Sequence, residues 1–169
     1  MLNLAPYGEE DKQAALAAVG AFAQEEGFTI VSHDGTRPWG GFFVIDETQA
    51  PAFAERYFPG EVVGQGKLSP KFLVVAPGKR LSWQYHHRRA ELWRALAGDP
   101  ALASGPTDDL PEAHPLPEGV VCLAQGERHR LIGGQGWGAV AEIWQHTDPD
   151  APSDEQDIVR LQDDFGRTA

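Results

Sequence analysis

The stretch that decides the fold is GKRLSWQYHHRRAELWRALAG, residues 78–98, because it places several possible metal ligands between two glycines. Gln84, His86, His87 and Glu91 lie within eight residues. Side chains alternate between the two faces of an extended segment, so Gln84 and His86 point one way and His87 points the other. Glu91 lies far enough beyond for a turn to bring its carboxylate back to His86. An amide, imidazole and carboxylate set suits a borderline or hard divalent ion.

A second stretch downstream offers a further ligand. The apolar run VVCLA at residues 120–124 reads as a strand, and a glycine turn then leads to His129. In order and internal spacing, the two stretches resemble the two sequence motifs of the cupin superfamily. The resemblance implies four metal ligands, which are Gln84, His86, Glu91 and His129. The other matched positions are Gly78 and Gly98 in the first motif and Gly126 in the second, while Ala124 stands where a proline is usual.

Isolated histidines are weaker evidence for a metal site than these four matched residues. A lone pair of histidines is more often a surface feature of a strand than a metal site, and His33, His114 and His146 receive no role. The joint spacing of the four matched residues favours a metal centre, although cupin barrels that have lost their metal also exist.

Length and composition predict one domain of a soluble protein. The chain of 169 residues can bury a core without disulfides, and its single cysteine, Cys122, fits a reducing compartment. The net charge of -11 and the pI near 4.8 argue against a nucleic-acid or anionic-membrane partner, since both need a basic surface. The amino terminus lacks a secretion-signal pattern, and no later stretch has the roughly 18 apolar residues of a membrane span. We therefore expect a cytoplasmic protein.

The first 66 residues are predicted to cover and extend a barrel. Residues 9–26 have the apolar spacing of an amphipathic helix, and residues 50–58 read as a second, short helix. Residues 28–31 and 41–45 read as strands. The role expected for this extension is packing.

From residue 67 onward, short apolar runs separated by turns predict an antiparallel, all-β barrel of the jelly-roll type, the double-stranded β-helix of cupins. Residues 90–97 have the propensity of a helix, but the motif favours a strand. Residues 105–117 are predicted to form a loop at the barrel mouth, and residues 154–167 one or two helical turns. Residues 1–66 and 67–169 should together form a single domain.

A narrower resemblance covers most of the chain from residue 37 to residue 167. The matched segments resemble the cupin part of type II mannose-6-phosphate isomerases, in which this part is commonly fused behind a nucleotidyltransferase domain. The chain would then be a stand-alone version. It has Arg88 where the family has a third consecutive histidine, and Leu92 where the family has a histidine after the glutamate of the motif. The matched segments are RPWG (37–40), VVAPGKRLS (74–82), QYHHRRAELW (84–93), DIVR (157–160) and DFGR (164–167).

This resemblance implies a metal-dependent aldose–ketose isomerase that acts on a phosphorylated sugar through a metal-stabilised enediolate. The expected cofactor is a divalent ion, Zn²⁺ first, with Mn²⁺, Fe²⁺ or Co²⁺ as alternatives. The residues with predicted catalytic roles are Lys71, Arg89, Glu142 and Arg167. Lys71 and Glu142 rank about equally as the proton-transferring base, and His87 is a further candidate if a bulge turns it inward. The residues predicted to bind substrate are His87, if a bulge turns it inward, and Arg160 and Arg167, which would share one face of a helix and clamp a phosphate. We expect a homodimer.

Two other functions fit the same motifs. A non-catalytic cupin that binds a sugar or sugar nucleotide would account for the departures at Arg88 and Leu92. A metal-dependent dioxygenase is the other common use of cupin metal sites, although oxygen chemistry usually uses more histidine than this set offers. Metal identity separates the oxygenase from the isomerase, and turnover separates the binding protein from both.

Overall fold

Eleven strands and two α-helices make up the regular structure of residues 1–64 and 66–167, which are the part of the chain that this computed structural model describes. The helices are α1 (Lys12–Glu25) and α2 (Ala50–Tyr57), with a 3₁₀ turn at Glu47–Gln49 before α2. The strands are β1 (Ile30–Asp34), β2 (Gly40–Ile45), β3 (Leu68–Val75), β4 (Trp83–Tyr85), β5 (Arg89–Ala97), β6 (Ala101–Gly105), β7 (His114–Pro115), β8 (Val121–Leu123), β9 (Arg128–Ile132), β10 (Gly138–His146) and β11 (Val159–Gln162).

The strands form two antiparallel sheets. The larger sheet has the order β1-β2-β3-β10-β5-β8, and the smaller sheet has the order β11-β4-β9-β6-β7. Side chains from both sheets meet in one apolar cluster, in which Leu73, Val75 and Val140 of the larger sheet pack with Leu131 of the smaller one. The all-β jelly-roll prediction is confirmed, and the interior between the two sheets is where side chains from both can meet.

The first part of the chain covers the outer face of the larger sheet. Helix α1 buries Ala15, Leu16 and Val19 in a cluster that also contains Phe72 of β3. The ring of Phe72 lies within 5.1 to 6.4 Å, between ring centroids, of a set of aromatic rings from the helices and the turns beside them. That set is Phe22, Phe28, Phe53 and Tyr57. Strands β1 and β2 then extend the sheet beside β3.

Most strands, including the one at residues 90–97, lie where the sequence predicts them, and the differences are at residues 105–117 and 154–167. Residues 90–97 lie in strand β5, as the motif requires and against their helical propensity, because β5 pairs with β10 and β8 on its two sides. The prediction of helical turns at residues 154–167 is wrong. Val159–Gln162 form strand β11, which pairs with β4. The predicted loop at residues 105–117 contains the two-residue strand β7.

Within the part of the chain that the structure describes, no helix is long and apolar enough to cross a membrane.

Candidate metal centre and the pocket above it

Three of the four predicted ligands meet in the interior. One ligand atom from each of His86, Glu91 and His129 lies within 4.8 Å of the others, and all three side chains are buried. His86 Nε2 is 3.3 Å from Glu91 Oε1, and His129 Nε2 is 3.5 Å from Glu91 Oε2. The three residues come from different segments, since His86 follows β4, Glu91 lies in β5 and His129 lies in β9. The fold therefore brings both motifs to one point between the sheets.

A main-chain contact joins the two motifs directly. The N–H of Gly126 donates to the carbonyl oxygen of His86 across 3.0 Å. Gly126 has φ 77°, a left-handed conformation that glycine adopts without strain, and it begins the turn into β9. The spacing from Gly126 to His129 thus fixes where the second histidine enters the site.

The tautomers of both histidines direct a lone pair into the site. His86 Nδ1 donates to the carbonyl oxygen of Asp157 at 2.6 Å, and His129 Nδ1 donates to that of Glu127 at 3.0 Å. Because a carbonyl can only accept, both Nδ1 atoms carry a proton, so in the neutral imidazole the lone pair belongs to Nε2. His129 Nε2 is buried without a hydrogen-bond partner among the described residues. A buried lone pair of this kind fits a metal ligand, and two imidazoles with one carboxylate are donors that first-row divalent ions accept.

The fourth predicted ligand, Gln84, lies beside the other three but turns its oxygen away. Gln84 pairs with His129 across β4 and β9. Its Oε1 accepts a short hydrogen bond from the hydroxyl of Ser82, while its Nε2 is 3.5 Å from His86 Nε2. Rotation of the amide by half a turn would exchange its nitrogen and oxygen and direct Oε1 at the site. Gln84 as a ligand stays a prediction.

The protonation states of the buried groups suit a metal centre. Burial lowers the pKa of His86 to about 3, so its imidazole is neutral near pH 7. Burial alone would raise the pKa of Glu91, but its interactions with His86 and Arg89 outweigh burial and hold the pKa well below the usual range. Neutral imidazole and ionised carboxylate are the forms that bind a metal.

A second carboxyl group, Glu142, lies next to this centre. The indole Nε1 of Trp93 donates to Glu91 Oε2 at 3.1 Å and to Glu142 Oε1 at 3.0 Å, so one N–H links the two side chains. Burial and the negative charge of Glu91 raise the pKa of Glu142 to about 8. The pKa of Glu142 is therefore raised and that of Glu91 is lowered, although the two carboxyl groups lie side by side.

Arg89 contacts the metal ligands themselves. Its Nε donates to Glu91 Oε1 at 2.7 Å, and its Nη2 is 3.1 Å from His86 Nε2. Its Nη1 donates to the hydroxyl of Ser153 at 2.8 Å, and its guanidinium carbon lies 3.6 Å from the ring centroid of Trp144. The guanidinium is therefore held on three sides within the site.

A pocket lined by Gln84 and Glu91, among others, leaves about 600 Å³ free of atoms, counting its open mouth. Indole and phenyl rings form much of its wall, and cations outnumber carboxylates along it. Such a wall suits an anionic ligand with apolar faces. The cations are Arg37, Lys71, Arg89, Arg160 and Arg167, and the carboxylates are Glu91, Glu142 and Glu155.

The structure brings the predicted catalytic residues Lys71, Arg89, Glu142 and Arg167 to this one pocket. Lys71 pairs with Glu142 across β3 and β10, and its Nζ forms an ion pair with Glu155 Oε1 at 2.5 Å. Its Nζ also lies 3.4 Å from the ring centroid of Trp144. These contacts surround the Nζ of a lysine that is only 5% exposed.

The predicted substrate residues divide into two groups. Arg160 and Arg167 line the pocket, but through strand β11 and the turn after it, so they do not share the face of a helix. Arg167 forms an ion pair with Asp163. His87 lies outside the pocket, because the alternation of side chains turns its ring outward, where it is exposed beside Tyr85.

Asp157 is a residue of the site to which the sequence analysis gave no role. Its carboxylate accepts hydrogen bonds from the N–H groups of His87 and Arg88, both at 3.0 Å, and from the hydroxyl of Ser153 at 2.6 Å. Its carbonyl oxygen accepts the proton of His86 Nδ1. Asp157 thus ties the segment before β11 to a metal ligand. The only signal in the sequence was its place at the head of the segment DIVR.

The departures from the isomerase pattern have local explanations. Leu92 points to the outer face of the sheet and packs in the core beneath the helices, away from the pocket. Arg88 donates to the carbonyl oxygens of Ala151 and Pro152, both at 3.2 Å, and so fastens the loop before Asp157. The N–H of Ala124 donates to Glu127 Oε2 at 2.9 Å, a bond that proline could not make.

No protein-family model matches this sequence, and no curated protein matches it. Solved structures do match. Oxalate oxidase in complex with glycolate is 18% identical over 48% of this chain and 43% of that chain, with a TM-score of 0.42. The capsular polysaccharide assembling protein CapF from Staphylococcus aureus is 16% identical over 80% of this chain and 34% of that chain, with a TM-score of 0.49.

A third match is a cupin 2 conserved barrel domain protein from Salinispora arenicola, which is 25% identical over 50% of this chain and 66% of that chain, with a TM-score of 0.39. This chain therefore spans less than half the length of the oxalate oxidase and of CapF, and just under two thirds of the third protein.

Proposed function

We propose that this chain is a cupin-type, metal-dependent isomerase that interconverts an aldose phosphate and a ketose phosphate, of the mannose-6-phosphate isomerase kind. The observation that carries the proposal is the buried trio of His86, Glu91 and His129, of which Glu91 also lines a pocket rich in cations. A divalent ion held by these residues, Zn²⁺ first, would supply a Lewis acid that polarises the carbonyl oxygen of the sugar. Gln84 is the proposed fourth ligand.

Glu142 and Lys71 are the proposed proton-transferring pair. Isomerisation moves a proton between neighbouring carbons, and the group that moves it must change its own protonation easily near the working pH. Glu142 and Lys71 lie opposite each other on β10 and β3, and both line the pocket beside Glu91. Their position next to the ligands is what supports their role.

Arg160 and Arg167 are the proposed phosphate clamp. Arginine donates two parallel hydrogen bonds to a phosphate, and both side chains line the same pocket as Gln84 and Glu91. The aromatic wall beside them, with Trp39 and Trp144, would cover the apolar face of a sugar ring.

The first experiment measures metal and turnover on one sample. Elemental analysis of the purified protein should find about one equivalent of zinc or a similar ion. NMR should then detect interconversion within a panel of six- and seven-carbon aldose and ketose phosphates. Glu91→Gln and His129→Ala should both lose metal, and unchanged metal content in both would remove the assignment of the centre.

A matched pair of arginine variants tests the clamp. Arg167→Ala should weaken binding of a phosphorylated sugar more than binding of the free sugar, since only the former carries the phosphate. Arg56→Ala removes the same charge from the exposed surface near Glu26 and should change neither. Equal weakening of both ligands by Arg167→Ala would mean that this residue does not bind phosphate.

One observation favours an oxygenase as a second candidate. Two histidines and one carboxylate, with the oxygen of Gln84 turned away, form the ligand set of many non-haem iron oxygenases. This candidate predicts bound iron and consumption of oxygen in place of isomerisation. Metal without either activity would instead indicate a sugar-binding protein without catalysis.

A further inference from the structure

We propose that Arg89 competes with the metal for His86, so that an ion completes the centre only when this guanidinium leaves the imidazole. The inference rests on the metal centre of the proposed function and concerns how tightly that centre holds its ion. It predicts that removing a residue next to the ligands strengthens metal binding.

The competition follows from a count of lone pairs. His86 Nδ1 carries the proton that it donates to the carbonyl of Asp157, so Nε2 holds the only lone pair of the ring that can accept. Arg89 Nη2 is 3.1 Å from that atom, and a guanidinium has donors only. Arg89 therefore donates the shorter hydrogen bond to this lone pair, and Gln84 Nε2 lies farther from it, at 3.5 Å. A bond from His86 to a metal needs the same lone pair, so the two contacts exclude each other.

The competition is local to one ligand. Arg89 Nε donates to Glu91 Oε1, whereas Glu91 Oε2 faces His129 Nε2. His129 Nε2 itself has no hydrogen-bond partner among the described residues. Glu91 Oε2 accepts one hydrogen bond, from the indole of Trp93, and a carboxylate oxygen keeps a second lone pair, so only His86 has to be released.

The positive charge of Arg89 also opposes the binding of a metal ion. The buried carboxylate of Glu91 needs a neighbouring positive charge, and Arg89 supplies it at 2.7 Å. A divalent ion would supply the same compensation and would then lie beside a guanidinium that cannot lose its proton. Because two like charges repel strongly where water is excluded, each cation destabilises the other. Arg89 thus serves as a counter-ion for the metal-free centre and opposes the metal.

The anchors of Arg89 give the displaced side chain a place to stay. Its Nη1 donates to the Ser153 hydroxyl at 2.8 Å and to the Asp154 carbonyl at 3.1 Å, and its plane covers Trp144. Neither of these two hydrogen bonds nor the contact with Trp144 involves His86, so they can persist when the contact with His86 is lost. The release of His86 is then the step that metal binding has to drive.

The alternative role for Arg89 predicts the opposite result. Residues that hold a ligand by hydrogen bonds usually strengthen metal binding, and their loss weakens it by about 10–100-fold. If Arg89 only oriented Glu91, Arg89→Met would lower the affinity for the metal. If it competes for His86, the same variant raises the affinity.

The test is a calorimetric titration of Zn²⁺ into chelator-stripped protein. Arg89→Met, which keeps much of the volume and removes the donors and the charge, should bind Zn²⁺ about tenfold or more tightly than the wild type. Arg94→Met is the control, since Arg94 lies on the same strand, contacts the carbonyl of Tyr57 and should leave the affinity within about twofold of the wild type.

The outcomes separate this inference from the proposed function. If the wild type binds Zn²⁺ and Arg89→Met binds it equally or more weakly, the competition is overturned and the centre stands. If neither protein binds Zn²⁺, the centre and the competition fall together.

A measurement on the wild type covers the case in which the variant does not fold. In protein labelled with ¹⁵N-arginine, binding of Zn²⁺ should speed the exchange of the Arg89 Nη2 protons with solvent as they leave His86. Protons that stay equally protected in the Zn²⁺-bound protein would overturn the competition.

Discussion

The two faces of the larger sheet are built from the same strands and serve different purposes. On β10, Ala139, Ala141 and Ile143 point outward into the apolar core beneath the helices, whereas Glu142 and Trp144 point inward to the pocket. A step of one residue along the strand therefore changes the environment from entirely apolar to charged. The outer face supplies the burial that holds the sheet, and the inner face can then carry groups that burial alone would disfavour.

The inner face arranges its polar groups in rows that cross three strands. Ser69, Trp144 and Glu91 are aligned across β3, β10 and β5. The next row along the strands contains Lys71, Glu142 and Trp93. Each charged group has a partner from the neighbouring strand or row, which is the condition for placing it in a buried position.

Removing an aromatic ring from the outer face should have the largest effect on stability. Phe72→Ala deletes a fully buried ring that packs against four others, and the free energy of unfolding should fall by about 3–5 kcal/mol. Urea denaturation measures this, with the exposed Val31→Ala as the control. Zinc affinity of the folded protein should stay the same. A large loss of zinc affinity would mean that the two faces are not independent.

Substitution of Trp93 tests the inner face with an equally buried ring. Trp93→Phe removes the N–H that two carboxyl groups share, so the free energy of unfolding should fall by about 1–3 kcal/mol, and zinc affinity should also fall. Trp137→Phe is the matched control, because the indole of Trp137 donates to the carbonyl of Gly8 in the outer core. That variant should keep its zinc affinity. Equal zinc affinities in the two variants would mean that the N–H of Trp93 does not support metal binding.

Asp157 extends the comparison beyond the sheet. Asp157→Asn weakens the hydrogen bonds that hold the main chain of His87 and Arg88, so His86 loses part of its orientation and zinc affinity should fall about tenfold. Asp109→Asn removes the same charge from an exposed loop residue and serves as the control. Calorimetric titration of zinc distinguishes the two, and identical affinities would leave Asp157 with a purely structural role.

The smallest effect is expected at the mouth of the pocket. Glu155 is exposed, and its ion pair with the buried Lys71 contributes little once water screens it. Glu155→Gln should lower the free energy of unfolding by less than about 1 kcal/mol. Thermal and urea denaturation test this. A loss as large as that of Phe72→Ala would mean that the inner face depends on this one exposed carboxylate.

The sequence could predict what local spacing determines. The spacing along the sequence from Gln84 to Glu91, and from Gly126 to His129, predicted a common metal site. Three of its predicted ligands, His86, Glu91 and His129, do lie together. Spacing could not predict strand β11, because Ile158 and Leu161 are three residues apart and imitate a helical repeat. The strand forms through pairing with β4, more than 70 residues earlier in the chain, and this pairing has no local signal.

Details that depend on hydrogen bonds across the fold were likewise beyond the sequence. The orientation of the Gln84 amide is set by the hydroxyl of Ser82, and the role of Asp157 is set by two main-chain N–H groups. The contact between Arg89 and His86 depends on how the strand follows the turn at residues 86–88. The sequence does not indicate these hydrogen-bond partners, because any polar side chain brought close enough could have made the same bonds. The partners are determined by the fold.

The pairing of β4 with β9 and β11 has a consequence for how the protein folds. These strands are distant in sequence, so the ligands from β4, β5 and β9 meet only after the most costly loop closures have been made. The metal would therefore bind the native state and would be absent from the folding nucleus. We expect the bound ion to slow unfolding while leaving the refolding rate unchanged. The ion would then increase the kinetic stability of the folded barrel without helping it to form.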